Sequence, residues 1–314
     1  MILITGAGGY VAGFVIHALR NAGIPSDSIV GLVRSPSSVE KLRQRGVRAA
    51  VGDVTDPASL DAALRGVEQV VHLAAVNRDR GTSTMERINA EGTINVTDAA
   101  KRAGVRQVVT VVGLGADARR PFPLASTQGR GVDYLMASGV PYTVLEASVI
   151  FGAGDEFINT LAGLARIPPF MIVPGDGKSR FQPIAAQDVA SCVVQSLQRA
   201  DLVNRRLQIC GSEVITLEGI IDCILKEMGL RRIKVHMPVP LLRVAVKLME
   251  ATLPKPPVTS SLLAQLGVDN VATDNATETV FGLRPIRLAE GIGFVREMTA
   301  RKFILRTLGR LEYR

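Results

Sequence analysis

The chain has 314 residues, 47% apolar and 21% charged, a balance that excludes a disordered polar chain and accommodates a large α/β domain with a smaller lobe. Lys and Arg number 37 against 29 Asp and Glu, for a net charge of +8. Scattered arginines of this kind suit an anionic ligand, an acidic partner, a membrane surface or plain solvated faces. Aromatic residues make up 4% with no Trp, too few for a protein that stacks bases, so no nucleic-acid partner is expected.

Residues 1–5 (MILIT) form a short apolar run suited to a buried strand, followed by GAGG and then a helical pattern over residues 10–23. No basic segment precedes the run and glycines interrupt it, so it does not read as a signal peptide. A second strand (SIVGLVR), a Ser-started helix (SSVEKLRQRG), a third strand (VRAAVGDV) and a helix opened by Asp and Pro (DPASLDAALRG) come next. The alternation continues with VEQVVHLAA as a strand, MERINAEGTINVTDAAKRAG as one long helix, VRQVVTVVG as a strand, TQGRGVDYLMASG as a helix and PYTVLEASVI as a strand. Aliphatic strands separated by helices are the pattern of a parallel sheet covered on both faces, hence a doubly wound, Rossmann-type α/β fold.

From about residue 151 the pattern loosens. Pro and Gly clusters flank a short helix, then come a helix over AAQDVASCVVQSLQRA, a strand RRLQICG, a Thr-started amphipathic helix TLEGIIDCILKEMGL and a helix stopped by prolines, PLLRVAVKLMEATLPKPP. The expected organisation is a dinucleotide-binding domain over residues 1–150, with 181–211 returning to it. A smaller lobe takes 151–180 and 212–298, and a basic amphipathic tail takes 299–314. That tail interleaves Phe303, Ile304, Leu305, Leu308 and Leu311 with basic residues, and suits an anionic membrane, a protein partner or packing on its own lobe. Cys192, Cys210 and Cys223 show no metal spacing and fall in apolar patterns, so they read as small buried hydrophobes in a reducing compartment. No apolar run reaches the roughly 18 residues that cross a membrane, and the expected location is cytoplasmic or peripheral at a membrane.

The stretch from Gly6 to Ala12 follows a strand and opens a helix, where a glycine pattern has a mechanical meaning. Gly6 permits the tight turn, Gly9 lets backbone N–H groups approach a pyrophosphate, and Ala12 lets helix and strand pack closely. The helix N-terminus supplies free donors and partial positive charge. The second strand ends at Arg34 and Ser35, where a carboxylate for the ribose 2′-hydroxyl is common. Arg pairs with a 2′-phosphate, so NADP(H) is expected in preference to NAD(H).

With these residues the chain resembles the extended, atypical short-chain dehydrogenase/reductase family over residues 1–290. The matching pieces are TGAGGYVAG, GDVTD, VVHLAA and INAEGTINVTDAAKRAG. Further on, SVIFGAGDEFINTLAGL, PGDGKSRFQPIAAQDVA and CGSEVITLEGIID are similar to the branch that contains the NADPH-binding accessory subunit of respiratory complex I and its bacterial relatives. The resemblance implies Gly6, Gly8, Gly9, Tyr10 and Val11 around the pyrophosphate and Arg34 at the 2′-phosphate. It implies Asp53 and Val54 at the adenine, and Ala74 and Ala75 beside the nicotinamide ribose. Arg180 matches a position that meets an anionic substrate in sugar-nucleotide relatives, with a salt bridge to a loop carboxylate as its alternative.

Catalytic members of that family use a Tyr-x-x-x-Lys pair, in which Lys lowers the Tyr pKa so that the phenol exchanges a proton while hydride moves. Here Leu124 and Gln128 occupy those positions, and none of Tyr10, Tyr134, Tyr142 and Tyr313 has Lys four residues later. The family's Ser falls at Val112 or Gly113, and its Arg-Pro is replaced by Glu146-Ala147. His17, His72 and His236 form no recognisable constellation. One reading is an NADP(H)-binding protein that is structural, sensing or weakly catalytic and docks a partner or membrane surface. The alternatives are an active NADP-dependent oxidoreductase or epimerase acting on a quinone, carbonyl or nucleotide-linked substrate through other acid–base groups, Tyr134 among the candidates, and a scaffold with an empty pocket.

Overall fold

Strand β1 (Ile2–Thr5) is buried at every position, and so are β2 (Ile29–Val33) and β4 (Gln69–His72), the burial that suits their mostly aliphatic centres. The computed structural model describes residues 1–310, Ser261 by its backbone alone, so Leu311 and Tyr313 lie outside the described residues. Two units divide the chain. The first comprises Met1–Ala147, Ala186–Ile209 and Asp274–Gly282; the second comprises Ser148–Ala185, Cys210–Thr273 and the residues from Leu283 onward.

The first unit is built on a seven-stranded sheet ordered β11-β6-β5-β4-β1-β2-β3, numbered along the chain, with every neighbouring pair parallel. Its other strands are β3 (Arg48–Val51), β5 (Gln107–Gly113), β6 (Tyr142–Ala147) and β11 (Arg205–Ile209). Helices α3 (Pro57–Ala63), α4 (Gly92–Arg102) and α5 (Pro123–Ala137) cover one face through Leu60, Val96, Ala99, Val132 and Leu135. Against the other face lie α1 (Tyr10–Asn21) and α7 (Ala186–Gln198), while α2 (Pro36–Gln44) packs beside β2 and β3 and α11 (Ala276–Thr279) beside β11. The strand order reverses between β1 and β4, and doubly wound sheets hold their ligands outside the C-terminal ends of such a pair. The long helix expected from Met85 begins instead as a π-helical turn over Glu86–Glu91 before α4. That extra residue turns Asn89 inward, where it is buried and bonded to both the N–H and the C=O of Val76.

The second unit has short strands β7 (Ile150–Phe151), β8 (Phe170–Pro174), β9 (Arg180–Phe181), β10 (Ile184–Ala185), β12 (Ile215–Thr216) and β13 (Ile233–Met237). They pair as β7 with β10, β9 with β12 and β8 with β13. Its helices are α6 (Phe157–Ala165), α8 (Leu217–Glu227), α9 (Val239–Thr252), α10 (Ser260–Gln265), α12 (Leu288–Gly291) and α13 (Ala300–Thr307). Thr216 caps α8 by accepting from the Gly219 N–H, which satisfies one of the donors a helix start leaves open. The core gathers Ile158, Met171, Val173, Ile220, Ile224 and Phe303. Phe303, in the tail helix α13, lies directly over Gly163 of α6, whose absent side chain makes the room. Part of the basic tail is therefore built into its own lobe. All three cysteines are free, Cys192 and Cys210 buried and Cys223 half-buried.

Candidate dinucleotide site

The turn after β1 is held by the Gly9 N–H donating to the Gly6 carbonyl at 2.8 Å. Gly6 has φ +66°, and a Cβ there would lie 2.8 Å from the Ala74 backbone just past β4. Only glycine allows the two strand ends to cross this closely. A Cβ at Gly8, by contrast, would meet nothing within 4 Å, so the loop presents open backbone on its outer side. Gly9 caps α1 without a side-chain hydrogen bond, and the first turn of α1 carries no acidic residue. Its N–H donors and partial positive charge face no competing carboxylate, the condition that favours a bound phosphate. Tyr10 and Val11 begin α1, and the Tyr10 ring packs edge-on against Phe14 at 5.3 Å between centroids.

Arg34 is exposed just past the end of β2 and donates to Ser83 Oγ at 3.0 Å. Beside it Ser35 Oγ lies 3.0 Å from both Ser37 Oγ and Ser38 Oγ at the start of α2, whose first turn carries no acid. A guanidinium with a cluster of hydroxyls fits a phosphate ester and offers no carboxylate to a bare ribose. The C-cap residue of α2, Arg45, reaches back to the glycine loop and donates to the Ala7 carbonyl at 3.2 Å. Nothing in the local pattern singled Arg45 out, because its partner is 38 residues away.

Asp53 Oδ1 accepts from Thr55 N at 2.9 Å and Thr55 Oγ1 at 3.0 Å, so part of its carboxylate shapes its own loop. The Val54 side chain is buried against Gly92, and its carbonyl accepts from Asn95 Nδ2 at 3.0 Å. Ala74 is half-buried against the sheet core and Ala75 is exposed beyond it. The glycine loop, Arg34, Asp53, Val54, Ala74 and Ala75 thus follow the C-terminal ends of β1, β2, β3 and β4. Below them runs a hydrogen-bonded line from Ala74 N to Thr5 Oγ1 (3.4 Å), Thr5 Oγ1 to His72 Nδ1 (2.7 Å), His72 Nε2 to Thr93 Oγ1 (3.0 Å) and Thr93 Oγ1 to the Asn89 carbonyl (2.7 Å). Each hydroxyl has one proton to give, so the line assigns neutral His72 an Nδ1 acceptor and an Nε2 donor. Complete burial pulls the His72 pKa down to about 4.

At the two positions that the short-chain dehydrogenase resemblance assigns to its proton relay, Leu124 sits half-buried in the first turn of α5, and Gln128 Oε1 accepts the Gly113 N–H at 2.9 Å. Tyr134 is on the same helix but about 9 Å further along its axis than Gln128. Its phenol donates to Asp98 Oδ1 at 2.7 Å on the exposed α4–α5 surface, and that hydrogen bond raises its pKa. Glu146, which the resemblance sets opposite an Arg of that family, is buried and paired with Arg206 of the neighbouring strand at 2.6 Å. His17 contacts Asn21 on its own helix, and His236 contacts Glu218 in the second unit. Arg180, also in the second unit, makes a two-pronged contact with Asp269 Oδ2 at 2.8 and 2.5 Å, so a loop carboxylate already holds its guanidinium. No cluster of three or more His, Cys, Asp or Glu suited to a metal occurs among the described residues.

A parallel sheet with a glycine cradle at its switch point defines a dinucleotide-binding protein. Residues 6–200 match the NAD(P)H-binding family model, and the chain belongs to that family. Among its relatives is the NAD(P)H azoreductase of Xenophilus azovorans, 26% identical over 216 residues, spanning 69% of this chain and 70% of the relative. Another is the mitochondrial NADH dehydrogenase [ubiquinone] 1 alpha subcomplex subunit 9 of Dictyostelium discoideum, 24% identical over 230 residues, 71% of this chain and 62% of the relative. In fold the chain is similar to the NADPH-dependent quinone oxidoreductase of Escherichia coli solved with NADPH, with a TM-score of 0.76, 24% identity, and coverage of 93% of this chain and 98% of that one. No helix among the described residues is long and apolar enough to cross a membrane.

Proposed function

We propose that this chain holds NADP(H) as a structural or sensing ligand, without a protein proton relay of the short-chain dehydrogenase type, and docks a partner or membrane surface. In this reading Gly6, Gly8, Gly9, Tyr10 and Val11 surround the pyrophosphate and Arg34 with Ser35 takes the 2′-phosphate. Asp53 and Val54 border the adenine, and Ala74 and Ala75 border the nicotinamide ribose. The bound nicotinamide would supply a hydride, and among the described residues no Tyr–Lys pair near the end of β5 would supply the accompanying proton. The observation that carries the reading is Gln128: its amide oxygen accepts the Gly113 N–H, and a neutral amide cannot tune a phenol that Leu124 does not provide. The outward side of the tail helix, with Ile304 and Leu308 exposed, suits the docking role.

A second reading, an active NADPH reductase, has one observation in its favour: the azoreductase and quinone oxidoreductase likenesses bear the names of reductases. Such acceptors can draw their proton from water. Mixing the purified protein with NADPH and a simple quinone, azo dye or aldehyde separates the two. The first reading predicts turnover far below about 1 s⁻¹, the low end of ordinary enzymes. Sustained turnover above that rate sinks it in favour of the second.

A further inference from the structure

The second unit carries a surface of a different kind. Residues 231–249 contain five Lys and Arg and no Asp or Glu. On α9, Leu242 and Val246 point inward and pack with Leu263, Met237 and Met249. Leu241, Val244 and Leu248 form a second apolar stripe, 59%, 68% and 66% exposed. At this spacing the stripe runs about 10 Å along one side of the helix. Arg243 and Lys247, one turn apart, lie along one edge of it, between the stripe and the buried face, and no carboxylate pairs with either among the described residues. The helix's own acid, Glu250, is turned aside to the N–H and hydroxyl of Ser260.

The neighbouring sheet continues this face. In the parallel pair β8–β13, Phe170 lies opposite Ile233 and Ile172 opposite Val235. The alternate residues Met171 and Val173 point into the core, which turns Phe170, Ile172 and Ile233 outward, where all three are exposed. Met237, on the same side of β13 as Ile233 and Val235, packs against Leu242 and Val246. Helix α9 therefore covers only the far end of that sheet face, and the exposed apolar surface runs from the sheet onto the helix.

We propose that this face of the second unit, α9 with the outer side of β8–β13, seats the protein on an anionic lipid bilayer surface. Charge decides among the occupants. A second copy paired through the same face would set Arg243 and Lys247 against their own counterparts. An apolar partner would leave both cations unanswered. Anionic headgroups meet them, while Leu241, Val244, Leu248 and Phe170 enter the acyl boundary and the long basic stems lie along it. The proposal rests on the docking part of the reading above, gives it a lipid chemistry and moves its main seat from the tail to α9. It makes no use of the nucleotide.

Full-length protein sedimented with vesicles of phosphatidylcholine alone, or of equal parts phosphatidylcholine and phosphatidylglycerol, tests it. Wild type should pellet only with the anionic vesicles and be released by high salt. Arg243→Gln with Lys247→Gln should lower partitioning about fivefold for each charge removed. Val244→Glu with Leu248→Glu should abolish it. All four side chains are exposed, so thermal midpoint and NADPH affinity should stay at wild-type values, which reports folding of each variant independently. The proposal is overturned if wild type pellets with neither vesicle or equally with both, or if both double variants pellet as wild type does. It is also overturned if the loss appears only with Arg301→Gln and Lys302→Gln in the tail, or if wild type is a stable dimer that Leu248→Glu dissociates. Loss of NADPH binding with vesicle binding intact would count against the nucleotide reading and not against this one.

Discussion

Replacing His72 by Gln should remove the loss of stability in mild acid that the buried imidazole contributes, against the opposite contribution of buried Asp155, whose carboxyl is pushed up to about 7. The buried imidazole titrates near 4 in the folded chain and near 6.5 when exposed. Between those values the unfolded state binds the extra proton and the folded state does not, so the His72 contribution to stability falls as pH falls. It is complete above about 6.5, declines through the window, and levels off below about 4. A gap of that size corresponds to about 3 kcal/mol in total. The structural cause is the line from Ala74 through Thr5, His72 and Thr93 to Asn89: a charged imidazole would need an acceptor at Nδ1, where the Thr5 hydroxyl already donates. Because Ala74 lies against Gly6, nucleotide affinity should weaken in the same window. Urea unfolding of wild type and His72→Gln across it, with NADPH titrations at each pH, reads both effects. Exposed carboxylates contribute equally to the two proteins, so the difference between the curves isolates His72. Parallel curves, with no divergence below pH 6.5, would refute the assignment.

Three further outcomes follow from the same geometry. Arg34→Ala should weaken NADPH about 10- to 100-fold by calorimetry and leave NADH within about twofold, since only the 2′-phosphate is lost as a partner. Phe303→Ala should cost about 3–5 kcal/mol in urea unfolding, because the ring fills the space over Gly163 and little is positioned to close it. Gly6→Ala should abolish nucleotide stabilisation in a thermal shift, as the added methyl would press on the Ala74 backbone at 2.8 Å and force a left-handed backbone on an L-residue.

Local physics was readable in the residues, and distant pairing was not. Aliphatic runs, the Asp56 and Thr216 caps and the glycine turn at Gly6 act within a few positions, so the doubly wound sheet emerges from the order of residues alone, while its reversal between β1 and β4 does not. Arg34 was readable for the same reason, as the residue that follows a predicted strand. The contacts that furnish the site were beyond reach: Arg45 meets Ala7 across 38 residues and Thr5 meets His72 across 67. For Arg180 the residues leave open a substrate anion or a loop carboxylate, and the carboxylate that meets it, Asp269, is 89 residues away and carries no motif that would name it. The π-helical turn before α4 has a helical composition throughout, so periodicity alone does not mark the extra residue that buries Asn89. The tail's hydrophobic stripe was visible, but that Phe303 is claimed by the lobe while Ile304 and Leu308 remain outside depends on Gly163, far away in the chain.

The central claim is that the cradle at Gly6–Gly9 is filled and the cofactor is held rather than spent. Mass spectrometry of nucleotide released from the protein as purified tests it most directly. The account predicts close to one NADP(H) per chain, with NAD(H) scarce and the bound nucleotide's redox state unchanged after incubation with a quinone. Protein that releases no dinucleotide and gains no thermal stability from added NADPH, or that releases NAD(H) instead, would contradict it.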